Sequence, residues 1–135
     1  MIRMLLSVTL GLASCATLPH VPPITICDVW SGKVAEGREV EVEGYLYTNW
    51  SFIAVASPEC PQALLTLVDS AADADQRDHA WGTVLSVRDT PSKAVRVRLV
   101  GRAIVGGDPA VNALSVTSYR DVSVVEMPAP LAPWQ

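Results

Sequence analysis

The chain has 135 residues, enough for one domain, and half of them are hydrophobic. Its 14 acidic side chains outnumber its 10 basic ones, which gives a formal net charge of -4. Proteins that bind a phosphate backbone or an anionic lipid surface need clustered Lys and Arg, so this balance argues against a nucleic-acid partner and a polybasic membrane patch.

The first residues have the pattern of an export signal. Arg3 provides a short basic start, and residues 4–12 form an uncharged apolar run that is too short to span a bilayer as a helix. This pattern predicts a secretory signal peptide over residues 1–14.

The end of that segment, Leu12-Ala13-Ser14-Cys15, resembles the lipobox of bacterial lipoproteins. The resemblance implies cleavage before Cys15, lipidation of its thiol and acylation of the new amino terminus. Several acyl chains anchor firmly, because each buried methylene contributes about 0.8 kcal/mol. An ordinary secretory signal cut after Ala16 is the alternative. Ala16 is not the aspartate that marks inner-membrane retention in enteric lipoproteins, so the resemblance favours the periplasmic face of the outer membrane.

Residues 15–25 are expected to form a lipidated N-terminus and a spacer. They carry Pro19, Pro22 and Pro23, and proline at this density opposes helix formation and favours extended chain. The nine residues 17–25 reach less than about 30 Å as an extended chain. The folded domain, predicted over residues 26–126, would therefore lie close to the membrane.

Two cysteines remain once Cys15 is assigned to the lipid anchor. Cys27 and Cys60 form an even pair in an exported protein, which predicts a disulfide. In the chain-entropy model the closed loop would contribute about 3–4 kcal/mol. Two free thiols are one alternative. A metal site with His20 and His79 is the other, although these spacings fit no zinc pattern.

The clearest strand lies over residues 38–48, where acidic and apolar side chains alternate. A period of two indicates one buried and one wet face, and the wet face carries Glu39, Glu41 and Glu43. Gly44 is expected to mark a bend or bulge.

Four more strands are predicted, over residues 52–56, 64–68, 94–105 and 114–125. The nearly unbroken apolar run at 64–68 predicts cover on both faces. A helix is expected from Ser70 to about Trp81, whereas residues 83–87 read equally as the end of the helix or as a strand. Residues 127–135 are predicted to be a flexible proline-rich tail.

The element order of three strands, one helix and two strands resembles the OB-fold, a five-stranded Greek-key barrel with one helix between strands 3 and 4. The series Cys27-Asp28-Val29, then 37–44, then Cys60-Pro61 is similar to small secreted OB-like domains of unassigned function. In those domains the two cysteines are paired. A sixth strand at 83–87 would make a β-sandwich competitive.

In an OB barrel the first and fourth strands are antiparallel neighbours. The three glutamates of the first would then face Arg96 and Arg98 of the fourth, with Arg102 further along. Opposite charges across strands favour pairing by about 0.2–1 kcal/mol each. These charges are therefore interpreted as a structural ladder, with an acidic or basic binding strip as the alternative.

The sequence contains no recognisable catalytic constellation. There is no G-x-S-x-G motif, and the two histidines have no obvious partner. Asp73, Asp75 and Asp78 could suggest a calcium site. The sequence around them lacks the glycine and the terminal glutamate that an EF-hand loop needs. We expect no enzyme activity, no metal and no cofactor.

Aromatic side chains cluster where the first strand ends. Tyr47, Trp50 and Phe52 flank the loop that OB-folds use for binding, and such rings stack on sugars or peptide side chains. Packing of Trp50 and Phe52 over the barrel end is the structural alternative. The sequence thus predicts a lipid-anchored envelope protein with a non-catalytic binding or accessory domain and an envelope protein as partner. A module for a small glycan or peptide is the alternative.

Overall fold

The computed structural model describes residues 23–49, 52–106 and 112–134, with side chains as far as Leu131 at the C-terminal end. Its elements are α1 (Ile26–Trp30), β1 (Glu39–Thr48), β2 (Ile53–Ala56), β3 (Leu65–Val68), α2 (Ala74–Ser86), β4 (Lys93–Ile104), β5 (Ala113–Glu126) and a C-terminal 3-10 helix (Ala129–Trp134).

The five strands form one mixed sheet. Neighbouring strands follow the order β1-β2-β3-β5-β4, and β4 also pairs with β1. The β3–β5 pair is parallel and the other four pairs are antiparallel. The prediction of a mainly β protein with five strands is confirmed.

β1 alternates buried and exposed residues, as its sequence predicts. Val40, Val42 and Leu46 are buried, and the three glutamates between and before them are exposed. Gly44 does not form a bulge, because the pairing with β4 runs through it without a register shift. The register shifts lie instead in the β4–β5 pair, one of them between Val100 and Gly101.

Gly44 is required by a close approach. A Cβ atom there would lie 2.1 Å from Cδ1 of Ile26 and 2.7 Å from the backbone oxygen of Ala56. Only a residue without a side chain lets α1 press its first residue against the strand at this point. The glycine that the sequence marks as an interruption is therefore the contact point between β1 and α1.

α1 is short and well capped. The Thr25 hydroxyl accepts a hydrogen bond from the Asp28 N–H at 3.2 Å, and the Asp28 carboxylate accepts one from the Thr25 N–H at 3.0 Å. This reciprocal pair is a capping box, which satisfies two amides at the start of the helix. The helix buries Ile26 and Val29 in the core.

The disulfide prediction agrees with the structure. Cys27 of α1 is bonded to Cys60 in the loop after β2, with their Cα atoms 5.9 Å apart. The bond ties α1 to a part of the chain that is 33 residues away. It fixes the short helix against the sheet.

α2 is displaced along the chain from its predicted residues 70–81. Its N-cap is Asp73, whose carboxylate accepts the Gln76 N–H at 2.9 Å, and the preceding residues form a turn in which the Ala72 N–H bonds the Asp69 carbonyl. The helix runs through Gly82 to Ser86, so residues 83–86 are helical. Asp73 satisfies one of the free amides of the first turn, that of Gln76, and so it is the N-cap in place of Ser70.

α2 is held on β5 by hydrogen bonds and packing. The side-chain oxygen Oε1 of Gln76 accepts hydrogen bonds from the Ser118 hydroxyl and from the Tyr119 N–H, both at 3.0 Å. Ala80 and Val84 are the buried residues of the helix. α2, which lies between β3 and β4 in the sequence, thus covers part of the sheet.

β3 differs from its prediction of cover on both faces. Leu65 and Leu67 are buried, whereas Thr66 is exposed and Val68 is 39% exposed. A run of apolar letters does not show which face is covered, because that depends on the neighbouring elements. β2 is the strand buried at every position.

The charged rows of β1 and β4 are antiparallel neighbours, as expected for the ladder. Arg96 contacts the Glu43 carboxylate at 3.4 Å, and Arg98 contacts that of Glu41 at 3.6 Å. Arg98 also reaches Asp121 of β5 at 3.3 Å. These side chains are about half exposed, so each pair contributes at most about 1 kcal/mol.

The segment predicted to be a flexible tail packs against the domain. The Met127 N–H donates to the Ser92 carbonyl at 2.8 Å. The 3-10 helix buries Leu131, whose exposed fraction is 2%. The prediction is therefore corrected for residues 127–131. Its proline content suits a 3-10 turn, and Leu131 supplies an apolar anchor that composition alone does not reveal.

Candidate binding cavity

A cavity of about 390 Å³ lies where β1 ends, lined by Ala56 of β2 and by four other parts of the fold. These are the C-terminal half of β1, the C-terminal turn of α2 with the following loop, the start of β4, and the C-terminal segment. Its size lies in the range of small-molecule pockets. It is built by tertiary contacts and belongs to no single element.

The walls of the cavity are mostly apolar, with polar groups at a few points. Val84, Val87 and Leu131 supply apolar surface, and Tyr45 and Tyr47 add half-buried rings that carry hydroxyl groups. Apolar walls with a few convergent polar groups are typical of ligand sites. The arrangement suits a compact ligand with an apolar or aromatic body.

Charged side chains also line this cavity. Arg88, Asp89 and Lys93 are among its lining residues, and Lys93 donates to the Glu126 carboxylate across the β4–β5 pair. These charges are therefore balanced in sign near the cavity. A ligand with a large net charge of its own has no unmatched counter-charge to meet here.

The aromatic residues predicted to bind a ligand are partly brought together. The rings of Tyr47 and Phe52 lie with centroids 6.0 Å apart and planes tilted by 45°, the geometry of a favourable aromatic pair. Phe52 is 36% exposed and Tyr47 lines the cavity. Trp50 lies outside the described residues.

The loop between β1 and β2 is closed by local hydrogen bonds. The Phe52 N–H donates to the Asn49 side-chain oxygen at 3.3 Å, and the Thr48 hydroxyl donates to the Phe52 carbonyl at 3.2 Å. Asn and Thr side chains commonly hold turns in this way. These bonds set Phe52 beside Tyr47.

Sequence reasoning identified Tyr47 but missed most of the cavity wall. Val84, Val87, Met127 and Leu131 come from segments that the sequence assigned to an undecided stretch and to a mobile tail. Tyr45 is not among the residues that the sequence predicts to bind a ligand. One sequence feature could have pointed to the cavity: Tyr45 and Tyr47, on either side of Leu46, follow the acidic part of the strand.

A second polar cluster lies under α2. Tyr119 is 3% exposed, and its hydroxyl has no hydrogen-bond partner among the described residues. Burial raises the pKa of Tyr119 well above its usual value, and the Asp69 charge raises it further while Arg77 opposes the shift. Asp69 itself accepts the Trp81 indole N–H at 3.1 Å.

Other predicted sites fall outside the structure or are not seen. Cys15 lies outside the described residues. Within the described ranges, no group of three His, Cys, Asp or Glu side chains is arranged to hold a metal ion. None of the helices in the described part of the chain is long and apolar enough to cross a bilayer.

Comparison with protein-family models, with curated proteins and with solved structures found no match to this chain. The functional argument therefore rests on the residues and their geometry.

Proposed function

We propose that this chain is a lipid-anchored envelope protein whose small β domain binds another envelope component and catalyses no reaction. The observation that carries the proposal is the Cys27–Cys60 disulfide. Structural disulfides form and persist in oxidising compartments, so this bond supports export. An exported chain with a lipobox-like Leu12-Ala13-Ser14-Cys15 is expected to keep its lipid on Cys15.

We also propose that the domain is an OB-fold-like Greek-key barrel. Support comes from the pairing of β4 with both β5 and β1, which leaves every strand with two partner strands. A sheet whose last strand pairs with its first closes on itself. The helix α2 follows β3 in the chain and precedes β4, which is the order expected for such barrels.

A binding role is supported by the chemistry of the cavity. Its described lining contains no Ser, Cys, Glu or His, and Asp89 is its one carboxylate. Covalent catalysis usually requires a nucleophile with a neighbouring base, and Ser, Cys, His and Glu, which often fill these two roles, are absent from the described lining. Binding without chemistry is the simpler use of this surface.

The anchoring proposal is tested by fractionation and intact mass. The full chain, expressed in a diderm bacterium, should be recovered in outer membranes, lacking residues 1–14, carrying acyl mass on Cys15 and two daltons lighter than the dithiol form. Cys15→Ser should abolish the acyl mass and membrane recovery while leaving the disulfide formed. Recovery of a soluble exported chain that begins after Ala16 would show that the signal is an ordinary secretory one and that Cys15 carries no lipid anchor. A cytoplasmic chain that begins at Met1 with reactive thiols would overturn the proposal.

A second candidate function is small-ligand binding in the cavity, favoured by the position of Tyr45 and Tyr47 in its wall. Neutral glycan fragments and short aromatic peptides are the probes, titrated against the full chain and followed by ligand-observed NMR. Tyr47→Ala should weaken binding at least tenfold. Val105→Ala, at an exposed position that does not line the cavity, should leave it unchanged. Equal binding by both variants would remove this candidate.

A further inference from the structure

The N-terminal half of β1 has a partner strand on one side only. β1 pairs with β4 from Glu39 to Tyr45, but it pairs with β2 only from Tyr45 to Thr48. Within the described ranges, no strand pairs with the other edge of residues 39–44. A stretch of six residues therefore has a free backbone edge.

The pairing with β4 determines which backbone groups lie on that edge. The Arg38 carbonyl accepts from the Ala103 N–H at 3.0 Å, and the register then continues without a shift to Gly44 opposite Val97. Hydrogen-bonded and non-hydrogen-bonded pairs alternate along an antiparallel ladder. The N–H and C=O groups of the three residues Glu39, Glu41 and Glu43 therefore point away from β4.

A groove of about 910 Å³ runs beside this edge. Residues 38–45 form one side, and residues 23–25 and 57–59 form the other. Six residues of extended chain span about 20 Å and need a trough of this kind to lie beside a strand. The free edge thus faces an open channel rather than a flat surface.

The walls of the groove are held in place. Residues 23–25 lead into α1, and residues 57–59 precede Cys60, so the Cys27–Cys60 disulfide joins the two segments directly. Ile26 is fully buried and packs behind Gly44. The groove therefore keeps its width when nothing occupies it, which lowers the entropic cost of binding.

The charge of the groove selects its occupant. Its lining contains the acidic Glu39, Glu41, Glu43 and Glu59 and the basic Arg38 and Arg98. Because Glu41 and Glu43 already contact Arg98 and Arg96, the excess of negative charge comes from Glu39 and Glu59. Two copies of this chain would place like-charged glutamate rows side by side, which is unfavourable. A segment with basic side chains is favoured for the same reason.

The chain's own N-terminal segment is a poor occupant. Residues 16–22 contain neither Lys nor Arg, and Pro19 and Pro22 lack the N–H that a strand must donate. Because the two prolines differ in parity, both edges of such a strand would lose a donor. An external segment fits the chemistry better.

We propose that the free edge of β1 at residues 39–44 accepts an extended segment of a partner protein as an added strand, with Lys or Arg at alternate positions. This inference deepens the proposed function, from which it takes an envelope protein as the partner. Backbone hydrogen bonds to Glu39, Glu41 and Glu43 would supply affinity, and basic side chains beside their carboxylates would supply selectivity.

The first test uses a labelled heptapeptide of alternating Lys and Val, titrated by fluorescence anisotropy into the oxidised full chain in detergent. It should bind at least tenfold more tightly than the matching Glu and Val peptide, and added salt should weaken it. The double change Glu39→Gln, Glu59→Gln should weaken binding about five- to tenfold. The matched control Asp75→Asn, Asp78→Asn removes the same charge from exposed positions of α2 and should leave affinity unchanged.

Backbone recognition is tested on the probe, so that no variant has to fold. N-methylation of alternate amides on one edge of the peptide should abolish binding, and N-methylation of the opposite edge should leave affinity within about twofold, since only one edge can face β1. Equal effects of the two methylated peptides would overturn strand addition.

Amide exchange locates the added strand. In the full chain without peptide, the amides of Glu39, Glu41 and Glu43 should exchange rapidly, whereas those of Val40 and Val42 should be protected by β4. Saturating peptide should slow the three glutamate amides at least tenfold. Protection already present without peptide would show that the chain's own segment covers the edge and would overturn the proposal. Peptide binding that leaves these amides unchanged would also overturn it.

These results separate the inference from the proposed function. Peptide binding by a chain that carries no lipid would refute the anchor and keep the groove. A lipidated, exported chain that does not bind the peptide of alternating Lys and Val would refute the groove and keep the anchor.

Discussion

At the scale of single residues, Gly44 and Gly82 lie in opposite packing environments. A Cβ atom at Gly44 would collide with Ile26 and with backbone of β2, whereas one at the exposed Gly82 meets nothing within 4 Å. The first glycine serves tertiary packing. The second weakens an exposed helix position, because glycine gains backbone freedom on unfolding.

We expect Gly44→Ala to lower the free energy of unfolding by about 2–3 kcal/mol, since α1 must move to admit the new methyl group. Gly82→Ala is the matched control and should raise it by about 0.5–1 kcal/mol. Urea denaturation followed by circular dichroism measures both. Similar changes at the two positions would contradict the contact between Gly44 and Ile26.

Tyr119 gives a pH-dependent prediction. Its hydroxyl is buried without a described partner, and burial raises its pKa above the usual value of about 10. Below that value both folded and unfolded chains keep the proton. Above it the unfolded chain releases the proton while the folded chain retains it, so stability falls as the pH rises.

Tyr119→Phe should therefore be neutral at pH 7, or more stable by up to about 1 kcal/mol, because it removes an unbonded polar atom. At pH 11 the variant should lose less stability than the parent chain does. Urea denaturation at the two pH values checks this. A clear loss of stability at pH 7 would mean that the hydroxyl has a partner, such as an ordered water.

At the scale of elements, α1 shows how a five-residue helix persists. Helices this short are not stable alone, because nucleation costs more than one turn returns. Here the Thr25–Asp28 capping box starts the helix, Ile26 and Val29 bury its inner side, and Cys27 is bonded to Cys60. Each of these three contributions acts on a different part of the helix.

The disulfide should supply the largest of them. The double change Cys27→Ala, Cys60→Ala should lower the free energy of unfolding by about 3–4 kcal/mol, since the unfolded chain loses a closed loop. Reduction of the parent chain should have the same effect within error. Cys15→Ser is the control and should leave unfolding unchanged. Reduction without effect would mean that the bond is absent in the native protein.

At the scale of the whole molecule, the cavity joins the ends of several elements. The C-terminal segment forms part of its wall, so the last described residues belong to the domain and not to a free tail. The free edge of β1 lies beside a different groove, which shares only Tyr45 with the cavity. The cavity and the groove are thus two nearly separate surfaces of the domain, and the two binding proposals can be tested independently.

The C-terminal segment should contribute to global stability. Leu131→Ala should lower the free energy of unfolding by about 2–3 kcal/mol, because it empties a nearly buried position at the cavity wall. Pro130→Ala, at an exposed neighbouring position, is the control and should change it by less than about 0.5 kcal/mol. Limited proteolysis near residue 127 should accelerate only in the leucine variant. Equal proteolysis of the two variants would support the original prediction of a flexible C-terminal tail.

Sequence patterns correctly predicted the five strands, the Cys27–Cys60 disulfide and the face of β1 that enters the core. The strands and the buried face follow from local rules, since a period of two and turn residues act within short stretches. The cysteine pair was predicted because two of the three cysteines remain when Cys15 is set aside. The contacts between the arginines of β4 and the glutamates of β1 were also predictable, because opposite charges alternate with apolar residues along both strands.

Tertiary structure alone decided the start of α2, the half-exposed state of β3, the docking of Leu131 and the reason for Gly44. Each depends on which element covers which, and apolar letters are the same whether a face is covered or wet. The cavity and the groove are likewise products of assembly, because their walls come from segments that lie far apart in the chain and meet only when the sheet and α1 are joined.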